Sequence, residues 1–408
     1  MITGLSIRNF KVLAAIPETE GQLVGFGPLN VLIGPNGCGK SSLLQAIDFL
    51  RAFFMTSVEV YLKERDWEYR DLPNLRQTRK SIRWELKAKL DRNEEGIGEG
   101  EYHYVVTLQP RKHLGVHEEH LTWTPSNGEP TVLLRRKGRK CGYLDRVSGT
   151  FEELEIIGLP ASVMSRWETQ RDRQKFPELL RFRDWVEGFR SYLIWDPKAL
   201  RLPSRGQDEL GTSGEYLASV VGRLKDKNRE AFRRFNKRLK RLFPVLSGIS
   251  VSGTGWGWRH LHQHEGDGQE VAFGSRHMSD GVLRLLAVTS LLYVERPPTV
   301  ITFEEPENGV HPQLIREVVH LLRELTERKP PNRCQVFFST NSPYVLDEFY
   351  DHPDEVYCIE RSRPRVGARI IRLSENKQLK IARDTFRRSL GEAWASGLLG
   401  ATAGVRGL

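Results

Sequence analysis

The spacing of hydrophobic positions divides the chain into short buried strands and amphipathic helices. Residues 2–8 alternate apolar and other side chains, as a half-buried strand does, and residues 29–33 form a continuous apolar run that is typical of a buried parallel strand. Between 40 and 54, apolar side chains recur every three or four positions, which predicts a helix. The N-terminal pattern is therefore strand, loop, helix.

The middle of the chain changes pattern twice. From about residue 80 to residue 145, short strand-like stretches are separated by Gly, Pro and Asn, which predicts a set of antiparallel strands. Residues 176–195 and 214–243 then follow a helical period. In the second of these helices an apolar stripe lies opposite faces that are filled with basic side chains.

The last third of the chain returns to alternating helices and strands. Helices are predicted at 279–295, at 311–327 and from Pro343, and strands at 299–303 and 335–340. Strands that alternate with helices indicate a mostly parallel sheet. We therefore predict an α/β fold with a mostly parallel central sheet, an antiparallel β subsheet and a helical insertion.

Composition excludes several classes of protein. The 408 residues are 39% hydrophobic and 28% charged, with nine Trp and 18 Phe, so most of the chain is neither disordered nor a coiled-coil rod. The longest nearly apolar run, residues 282–294, is too short to cross a bilayer and contains Arg284. Its start lacks the sections of a secretory signal, so we expect a cytoplasmic protein without membrane contact. The four cysteines have neither metal-ligand spacing nor a disulfide pattern.

The formal net charge of +10 is concentrated in two segments. Residues 223–241 carry ten Lys or Arg against Asp226 and Glu230, and the stretch from residue 356 onwards carries eleven against four acids. The first segment could bind nucleic-acid phosphates with salt-dependent affinity, and its alternative is a solvated helix face. The second is a candidate for docking an acidic partner, with Arg361, Arg363, Arg365, Arg369 and Arg372.

Residues 34–41 fit the phosphate-loop pattern GxxxxGK[ST] between a predicted strand and a predicted helix. Glycines let backbone N–H groups close around phosphate oxygens, and the helix N-terminus adds partial positive charge. In this pattern Lys40 reaches the β and γ phosphates and the Ser41 hydroxyl ligates magnesium. The pattern predicts a nucleoside triphosphate as ligand, against the alternative of a surface glycine turn. The candidate nucleotide contacts are Asn36, Gly37, Cys38, Gly39, Lys40, Ser41 and Ser42.

Two carboxylates, Glu304 and Glu305, follow the predicted strand 299–303. Ligands of an open α/β sheet bind at the carboxyl ends of its strands. Glu304 is positioned to hold magnesium, directly or through water, and Glu305 to polarise an attacking water. A plain solvated strand end is the alternative, which the phosphate loop in the same chain makes less favoured.

Five segments together resemble a known group of ATPases. The chain resembles the ABC-type ATPases that include the SMC, RecF and OLD proteins, and the related AAA ATPases of bacterial anti-phage systems. The segments that carry this resemblance, in the order and spacing of the group, are IRNFKVL, LNVLIGPNGCGKSSLL, HMSDGVLRLLAV, TVITFEEPENGVHPQLI and VFFSTNSPYVLDEF. The resemblance implies a P-loop NTPase head of the ABC type that uses ATP and Mg²⁺ and assembles as an ATP-sandwiched homodimer or a higher oligomer.

The resemblance also implies roles for individual residues. Glu305 is implied to be the catalytic carboxylate at the end of the Walker B strand, with Glu304 as a magnesium ligand. Asn341 occupies the switch position after the next strand, where His is usual, and an amide cannot take up a proton. Lys11 is implied to touch the nucleotide, and Gln77 is the candidate for the glutamine that senses magnesium and water.

Ser279, Asp280 and Gly281 resemble the ABC signature, which in this group binds the γ-phosphate held by a second subunit. Independently of the family, Ser279 is suited to cap the following helix and Gly281 permits close backbone approach to an anion. An ordinary capped helix is the alternative. The residues that match the dimer-contacting stretch after Walker B are Asn308, Gly309 and His311.

A group of histidines, His260, His262 and His264, lies near Glu265 and Asp267. Their spacing favours a polar hairpin over a metal site. No nuclease constellation is evident, so a nuclease step would belong to a separate effector protein.

These observations predict a domain division and a function. The predicted parts are an ATPase head at 1–60 and 270–360, an antiparallel β part at 61–150, a helical insertion at 151–269 with the basic helix 214–243, and a basic C-terminal segment at 361–408. We predict an ATPase that switches conformation to control nucleic acid or an effector, in phage defence or DNA repair. The alternative is an ATP-stabilised scaffold with little hydrolysis that holds a separate effector. Glu305 favours the first function, and Asn341 favours the second.

Overall fold

The computed structural model describes residues 1–400 except 55–57, 78–79, 93–95, 110–114, 157–160, 168, 193–195, 267–269, 331, 362–367 and 388. Asp267, Arg363 and Arg365 therefore lie outside the described residues. The chain divides into two compact units. Unit 1 comprises Met1–Phe189, Pro353–Lys380 and Ser396–Leu408, and unit 2 comprises Arg190–His352 and Ile381–Ala395.

Strands and helices are numbered here in chain order. The strands are β1 Ile2–Phe10, β2 Leu13–Ile16, β3 Val24–Gly25, β4 Leu29–Ile33, β5 Ile82–Leu90, β6 Gly100–Leu108, β7 Val116–Pro125, β8 Thr131–Lys137, β9 Lys140–Leu144, β10 Phe151–Glu155, β11 Phe189–Tyr192, β12 Leu246–Gly253, β13 Arg259–Glu265, β14 Val271–Gly274, β15 Val300–Glu304, β16 Gln335–Ser339, β17 Val356–Arg361 and β18 Ala368–Arg372. The helices are α1 Lys40–Phe49, α2 Val58–Glu64, α3 Gln170–Lys175, α4 Pro177–Glu187, α5 Pro197–Arg201, α6 Leu217–Lys227, α7 Arg229–Leu242, α8 Asp280–Leu291, α9 Ile315–Thr326, α10 Pro343–Asp347, α11 Leu379–Thr385 and α12 Leu390–Ala395.

Unit 1 contains a large antiparallel sheet in the order β10-β9-β8-β7-β6-β5-β1-β2, with β3 also paired to β1. This sheet confirms the antiparallel set predicted from residue 80 to residue 145. Helix α1 is held against it by aromatic packing, because the Phe49 ring stacks on Trp84 with centroids 5.5 Å apart. The Trp84 indole N–H also donates to the carbonyl of Ala46, at 3.0 Å. The helix that follows the phosphate loop is thereby fixed to the sheet.

Strand β4 is fully buried and pairs in parallel with β17, which pairs antiparallel with β18. The continuous apolar run at 29–33 therefore forms the buried parallel strand that was predicted. The predicted helix at 40–54 ends earlier, because α1 stops at Phe49 and a 3-10 turn covers Leu50–Phe53. Its predicted apolar positions, Leu43, Leu44, Ile47, Leu50 and Phe54, are all buried.

Unit 2 contains the parallel pair β15 and β16, with β11 beside β15. Helices α8, α9 and α10 alternate with these strands, as predicted for the last third of the chain. A separate three-stranded antiparallel sheet has the order β12-β13-β14. One face of this sheet packs on α6 and α7 through buried Ile249, Val251 and Leu261. The stretch 151–269, predicted to be helical, therefore also contains strands.

Two helix predictions are wrong in part. The helix predicted at 176–195 ends at Glu187, and Phe189–Tyr192 forms strand β11. The helix predicted at 214–243 is interrupted at Asn228, whose side-chain oxygen accepts from the backbone N–H of Ala231 and caps α7. The apolar stripe continues across this break, so periodicity alone does not reveal it.

Candidate functional site

The phosphate loop connects β4 to α1 and depends on glycine backbone. Gly34, Gly37 and Gly39 have φ angles of 149°, 74° and 117°, in the region that side chains other than glycine rarely adopt. A Cβ on Gly34 would lie 2.3 Å from the carbonyl oxygen of Ile359, and one on Gly39 would lie 2.6 Å from Leu13. Around Gly37 nothing lies within 4 Å of such a Cβ, so that part of the loop is open. The loop therefore combines tight packing at both ends with open backbone between them.

Lys40 begins α1 and is 7% exposed. Its ammonium donates to the carbonyl oxygen of Gly34 at 2.6 Å and to that of Pro35 at 3.5 Å. A cation held over open backbone at a helix N-terminus fits a phosphate group. Of the other predicted contacts, Asn36, Gly37 and Ser41 are exposed, and Cys38, Gly39 and Ser42 are buried.

Lys11 lies in the turn between β1 and β2, with a positive φ of 48°. Its ammonium donates to the Gln45 carbonyl oxygen at 2.7 Å and lies 3.1 Å from the centroid of the Trp67 ring. Val12 is next to the phosphate loop, since its side chain would be 3.5 Å from a Cβ on Gly39. A cavity of about 500 Å³ is lined by residues that include Lys11, Val12 and Trp67. The predicted nucleotide contact is thus beside the loop, and Trp67 is a neighbour that sequence reasoning missed.

Gln77 lies in the turn that precedes β5. Its backbone carbonyl accepts from the side-chain amide of Asn9 at 3.2 Å, and its backbone N–H donates to Asn74 at 2.8 Å. These bonds place Gln77 near the end of β1. Its assignment to magnesium stays a prediction.

The predicted carboxylates follow the parallel strand β15, which ends at Glu304. Glu305 has a positive φ of 46°, and its backbone N–H donates to the carbonyl oxygen of Ser339 at the end of β16, at 3.0 Å. The Asn341 side-chain amide donates to the Glu305 carboxylate. The structure therefore brings the predicted catalytic carboxylate and the predicted switch residue into direct contact.

A buried carboxyl group that sequence reasoning missed lies next to this pair. Glu307 is 8% exposed, and the Thr340 hydroxyl donates to its Oε1 at 2.6 Å. The same hydroxyl oxygen accepts from the backbone N–H of Ser342 at 2.9 Å. Burial raises the pKa of Glu307, the hydrogen bond from Thr340 opposes this rise, and the nearby Glu305 adds to it. A third acid so close to Glu304 and Glu305 was the available signal in the sequence.

The predicted signature lies at the start of α8. The Ser279 hydroxyl accepts from the backbone N–H of Val282 at 3.3 Å, which confirms the predicted cap. Arg201, at the end of α5, donates to the carbonyl of Met278 at 2.8 Å and pairs with the Asp280 carboxylate at 2.5 Å. No pattern in the sequence links Arg201 to a segment 79 residues away.

The start of α8 packs against the stretch that follows Walker B. Arg284 donates to the carbonyl of Asn308, and a Cβ on Gly281 would lie 3.3 Å from the carbonyl oxygen of Gly309. Burial lowers the pKa of Arg284, and Asp280 opposes this. Ser279, Asp280, Asn308, Gly309 and His311 are exposed. The predicted signature and the predicted dimer-contacting residues thus form one surface of unit 2.

The three histidines lie on strand β13 and not in a loop. Their Nε2 atoms bond hydroxyl groups across the sheet, with Ser250 and His264 2.7 Å apart and Ser252 and His262 2.8 Å apart. This arrangement agrees with the polar hairpin. Within the described ranges, no group of three or more His, Cys, Asp or Glu is placed to hold a metal ion.

The basic segment 223–241 spans α6 and α7. Several of its cations have internal partners: Arg223 with Asp208, Lys227 with Glu295, Arg238 with Glu324, and Lys225 with the carbonyl of Val251. Exposed cations remain along α7 at Arg229, Arg233, Arg234, Lys237, Lys240 and Arg241. In the C-terminal positive stretch, Arg372 donates to the carbonyl of Gly25 at 3.0 Å.

A glycine-rich loop between a buried parallel strand and a helix, together with paired carboxylates at the end of another parallel strand, defines a P-loop ATPase of the ABC type. A family model described as "AAA domain, putative AbiEii toxin, Type IV TA system" matches residues 29–138 and 170–347. These ranges hold more than half of the chain, and the chain belongs to this family. It is an ATPase family of the SMC and RecF kind, as the resemblance implied.

Solved structures show the same fold. An SMC head bound to the C-winged helix domain of ScpA is 12% identical, with a TM-score of 0.53 over 91% of this chain and 97% of that chain. An SMC head domain from Pyrococcus furiosus, with an extended coiled coil and the C-terminal domain of ScpA, is 13% identical, with a TM-score of 0.49 over 95% and 99%. A RecF structure is 11% identical, with a TM-score of 0.35 over 84% and 92%.

A search of curated proteins found no match to this sequence. Within the described part of the chain, the helices are too short or too polar for any of them to span a bilayer.

Proposed function

We propose that the chain binds ATP with Mg²⁺ and hydrolyses it, and that Lys40 and Glu305 act on the same nucleotide. The observation that carries this proposal is the contact between Asn341 and Glu305, because it orients a carboxylate at the end of a parallel strand, where an attacking water would be positioned. The open loop around Gly37 and the cation of Lys40 fit a triphosphate.

In this mechanism each residue has a separate task. The backbone N–H groups of the phosphate loop and the Lys40 ammonium bind the phosphate oxygens, and Lys40 exchanges its present carbonyl partners for them. Ser41 and Glu304 would hold Mg²⁺, which would neutralise phosphate charge. Glu305 orients the water and accepts its hydrogen bond, and Asn341 fixes the direction of that carboxylate.

We further propose that two copies meet head to head around two ATP molecules. Ser279, Gly281, Asn308 and Gly309 lie on one surface, and helix α8 presents its N-terminus there. Such an N-terminus attracts a phosphate group supplied by a second copy. Loss of the γ-phosphate would remove this shared contact, so the dimer would open after hydrolysis. We place this switch in the control of nucleic acid or of an effector, in phage defence or DNA repair.

A second function, an ATP-stabilised scaffold with little hydrolysis, is favoured by one observation. The Asn341 amide occupies an oxygen of the Glu305 carboxylate and cannot accept a proton from the attacking water. In this case bound ATP would hold the assembly together and a separate effector would act.

Phosphate release by the purified protein separates the two functions. For an ATPase, Glu305→Gln lowers the rate about a hundredfold or more, because a carboxylate that positions the water is lost. Lys40→Met serves as the variant that loses nucleotide binding, measured by titration with a fluorescent ATP analogue. Equal phosphate release by the wild type and the Glu305→Gln variant, with ATP bound by both, assigns the scaffold function instead.

We also propose that the exposed cations of α7 contact nucleic-acid phosphates. Arg229, Arg233 and Lys237 are spaced four residues apart, so they form one stripe along the helix. Binding of a labelled duplex, measured by anisotropy over a series of salt concentrations, should weaken steeply as salt rises. The Arg233→Glu, Lys237→Glu variant should bind weakly with a smaller salt slope.

The matched control is Lys137→Glu with Lys140→Glu, which changes the net charge equally at β8 and β9. A variant pair that affects binding equally would assign the effect to net charge and overturn the role of α7.

A further inference from the structure

The turn between β12 and β13 presents two tryptophans outside the core. Residues 253–258 read Gly-Thr-Gly-Trp-Gly-Trp, and Trp256 is 91% exposed while Trp258 is 39% exposed. Trp256 has a φ of 66°, a conformation that disfavours bulky side chains. Its ring has no hydrogen bond or ring contact with any residue that the structure describes. A large aromatic ring placed in water at the tip of a hairpin indicates a binding surface.

A cation lies beside the second ring. The Arg205 guanidinium is 5.1 Å from the centroid of the Trp258 ring. Its neighbour Ser204 bonds Arg259 in both directions, with the Arg259 N–H donating to Ser204 at 2.9 Å and the Ser204 N–H donating to Arg259 at 3.2 Å. Arg205 is exposed and has no carboxylate partner among the described residues, whereas Arg259 pairs with Asp226. The tip thus combines exposed aromatic rings with an unneutralised cation.

The sheet face that continues from the tip is polar and carries no carboxylate at its central positions. The face packed on α6 and α7 contains Ile249, Val251 and Leu261, and the opposite face contains the paired hydroxyl and imidazole groups. Hydroxyl and imidazole groups donate hydrogen bonds to phosphate and sugar oxygens. This face therefore extends the surface available to a polar anionic chain.

The hairpin is fixed to the basic helix α7. The Asn236 side-chain oxygen accepts from the backbone N–H of Ile249 at 2.6 Å, and Lys225 donates to the carbonyl of Val251 at 2.9 Å. A single nucleic-acid chain could therefore contact the cations of α7 and the rings of the tip. Phosphates supply the charge that the cations attract, and bases supply flat faces that stack on indole rings.

We infer that the β12–β13 tip binds unpaired bases of single-stranded nucleic acid by stacking them on Trp256 and Trp258. The inference rests on the proposed phosphate contacts of α7 and names the class of nucleic acid bound. Bases inside a duplex are stacked on each other and present no free face to an inserted ring. Unpaired bases do present one, and stacking on aromatic side chains tolerates any base.

The test compares Trp256→Ala with the wild type on a labelled single-stranded DNA, an RNA of the same sequence and the matching duplex. We expect the variant to bind both single strands about tenfold more weakly and the duplex as tightly as the wild type does. Trp256→Phe should recover most of the single-strand affinity, since it keeps an aromatic face. A loss for only one of the two single strands narrows the ligand to DNA or RNA and still supports stacking.

Two controls keep the test decisive. Leu75→Ala removes another highly exposed apolar side chain, 82% exposed in unit 1, and should change no affinity. Single-strand affinity that is unchanged in Trp256→Ala, or reduced equally with duplex affinity, overturns the inference. The Arg233→Glu, Lys237→Glu variant should weaken binding of both single strands and the duplex. If that variant binds like the wild type, the phosphate contacts of α7 fail on their own account.

Discussion

The hydroxyl of Thr340 donates a 2.6 Å hydrogen bond to the buried carboxyl group of Glu307. This bond joins the residue before the switch Asn341 to the residue two positions after Glu305. A second link runs in the same place, from the Glu305 backbone N–H to the carbonyl of Ser339. The ends of β15 and β16 are therefore tied together by backbone and side chain, and the tie holds the Glu305 carboxylate against the Asn341 amide.

Removing the Thr340 hydroxyl should loosen this tie. Thr340→Ala leaves the buried Glu307 carboxyl without its donor, which should lower the free energy of unfolding by about 1–3 kcal/mol. It should also lower the turnover number for ATP while nucleotide affinity stays the same, because only the direction of Glu305 changes. Urea denaturation and steady-state phosphate release measure the two effects.

Thr340→Ser is the matched control, since it keeps the hydroxyl and should retain most of the turnover. If the Ala and Ser variants hydrolyse ATP equally well, the bond to Glu307 has no role in positioning.

Glu307 should make stability depend on pH in a defined direction. Its pKa is raised above the ordinary 4.5 by burial, so the folded state binds a proton more tightly than the unfolded state. The stability from this group is therefore fully present below the unfolded pKa and is lost as pH rises through the folded pKa.

Relative to Glu307→Gln, whose amide does not titrate, the wild type should lose free energy of unfolding as pH rises above about 4.5. Urea denaturation of both proteins across this range measures the difference. A difference that grows with pH would contradict the raised pKa.

The phosphate loop should not tolerate a side chain at its first glycine. Gly34→Ala places a Cβ 2.3 Å from the backbone oxygen of Ile359, so a strand must shift, at a cost of about 1–3 kcal/mol. Binding of a fluorescent ATP analogue should be lost with it. Gly27→Ala is the control, because its Cβ would meet nothing within 4 Å and its backbone is not left-handed. A Gly34→Ala protein that binds ATP normally would remove this loop from the nucleotide site.

Arg201 should support assembly through the signature. Arg201→Ala removes the bonds to Met278 and Asp280, so the start of α8 loses its support. In a Glu305→Gln background, which slows hydrolysis, the ATP-dependent dimer should weaken about tenfold. Light scattering after size-exclusion chromatography measures the dimer. Arg190→Ala breaks a similarly half-exposed pair, with Glu209, and should leave the dimer intact.

Lys11 and Trp67 should be energetically coupled. Their contact at 3.1 Å is a cation–π interaction, which contributes about 0.5–2 kcal/mol. A double-mutant cycle with Lys11→Met and Trp67→Leu, measured by urea denaturation, should give a coupling energy in that range. Strictly additive variants would show that the two side chains are neighbours without interaction.

Local patterns predicted much of the fold. The strand, loop and helix around Lys40, the antiparallel strands after residue 80 and the cap at Ser279 all follow from short-range chemistry. Failures occurred where local pattern and long-range pairing compete. Phe189–Tyr192 continues a helical period but becomes a strand beside β15, and pairing with a distant segment is not encoded in periodicity.

The sequence by itself determined the chemistry: glycines where the backbone must turn, a lysine at a helix start, and carboxylates after a buried strand. Tertiary structure alone decided which groups support them, such as Arg201 on Asp280 and Thr340 on Glu307. The physical reason is that a backbone conformation depends on neighbouring residues, whereas a side-chain hydrogen bond depends on which distant segments packing brings within 3 Å.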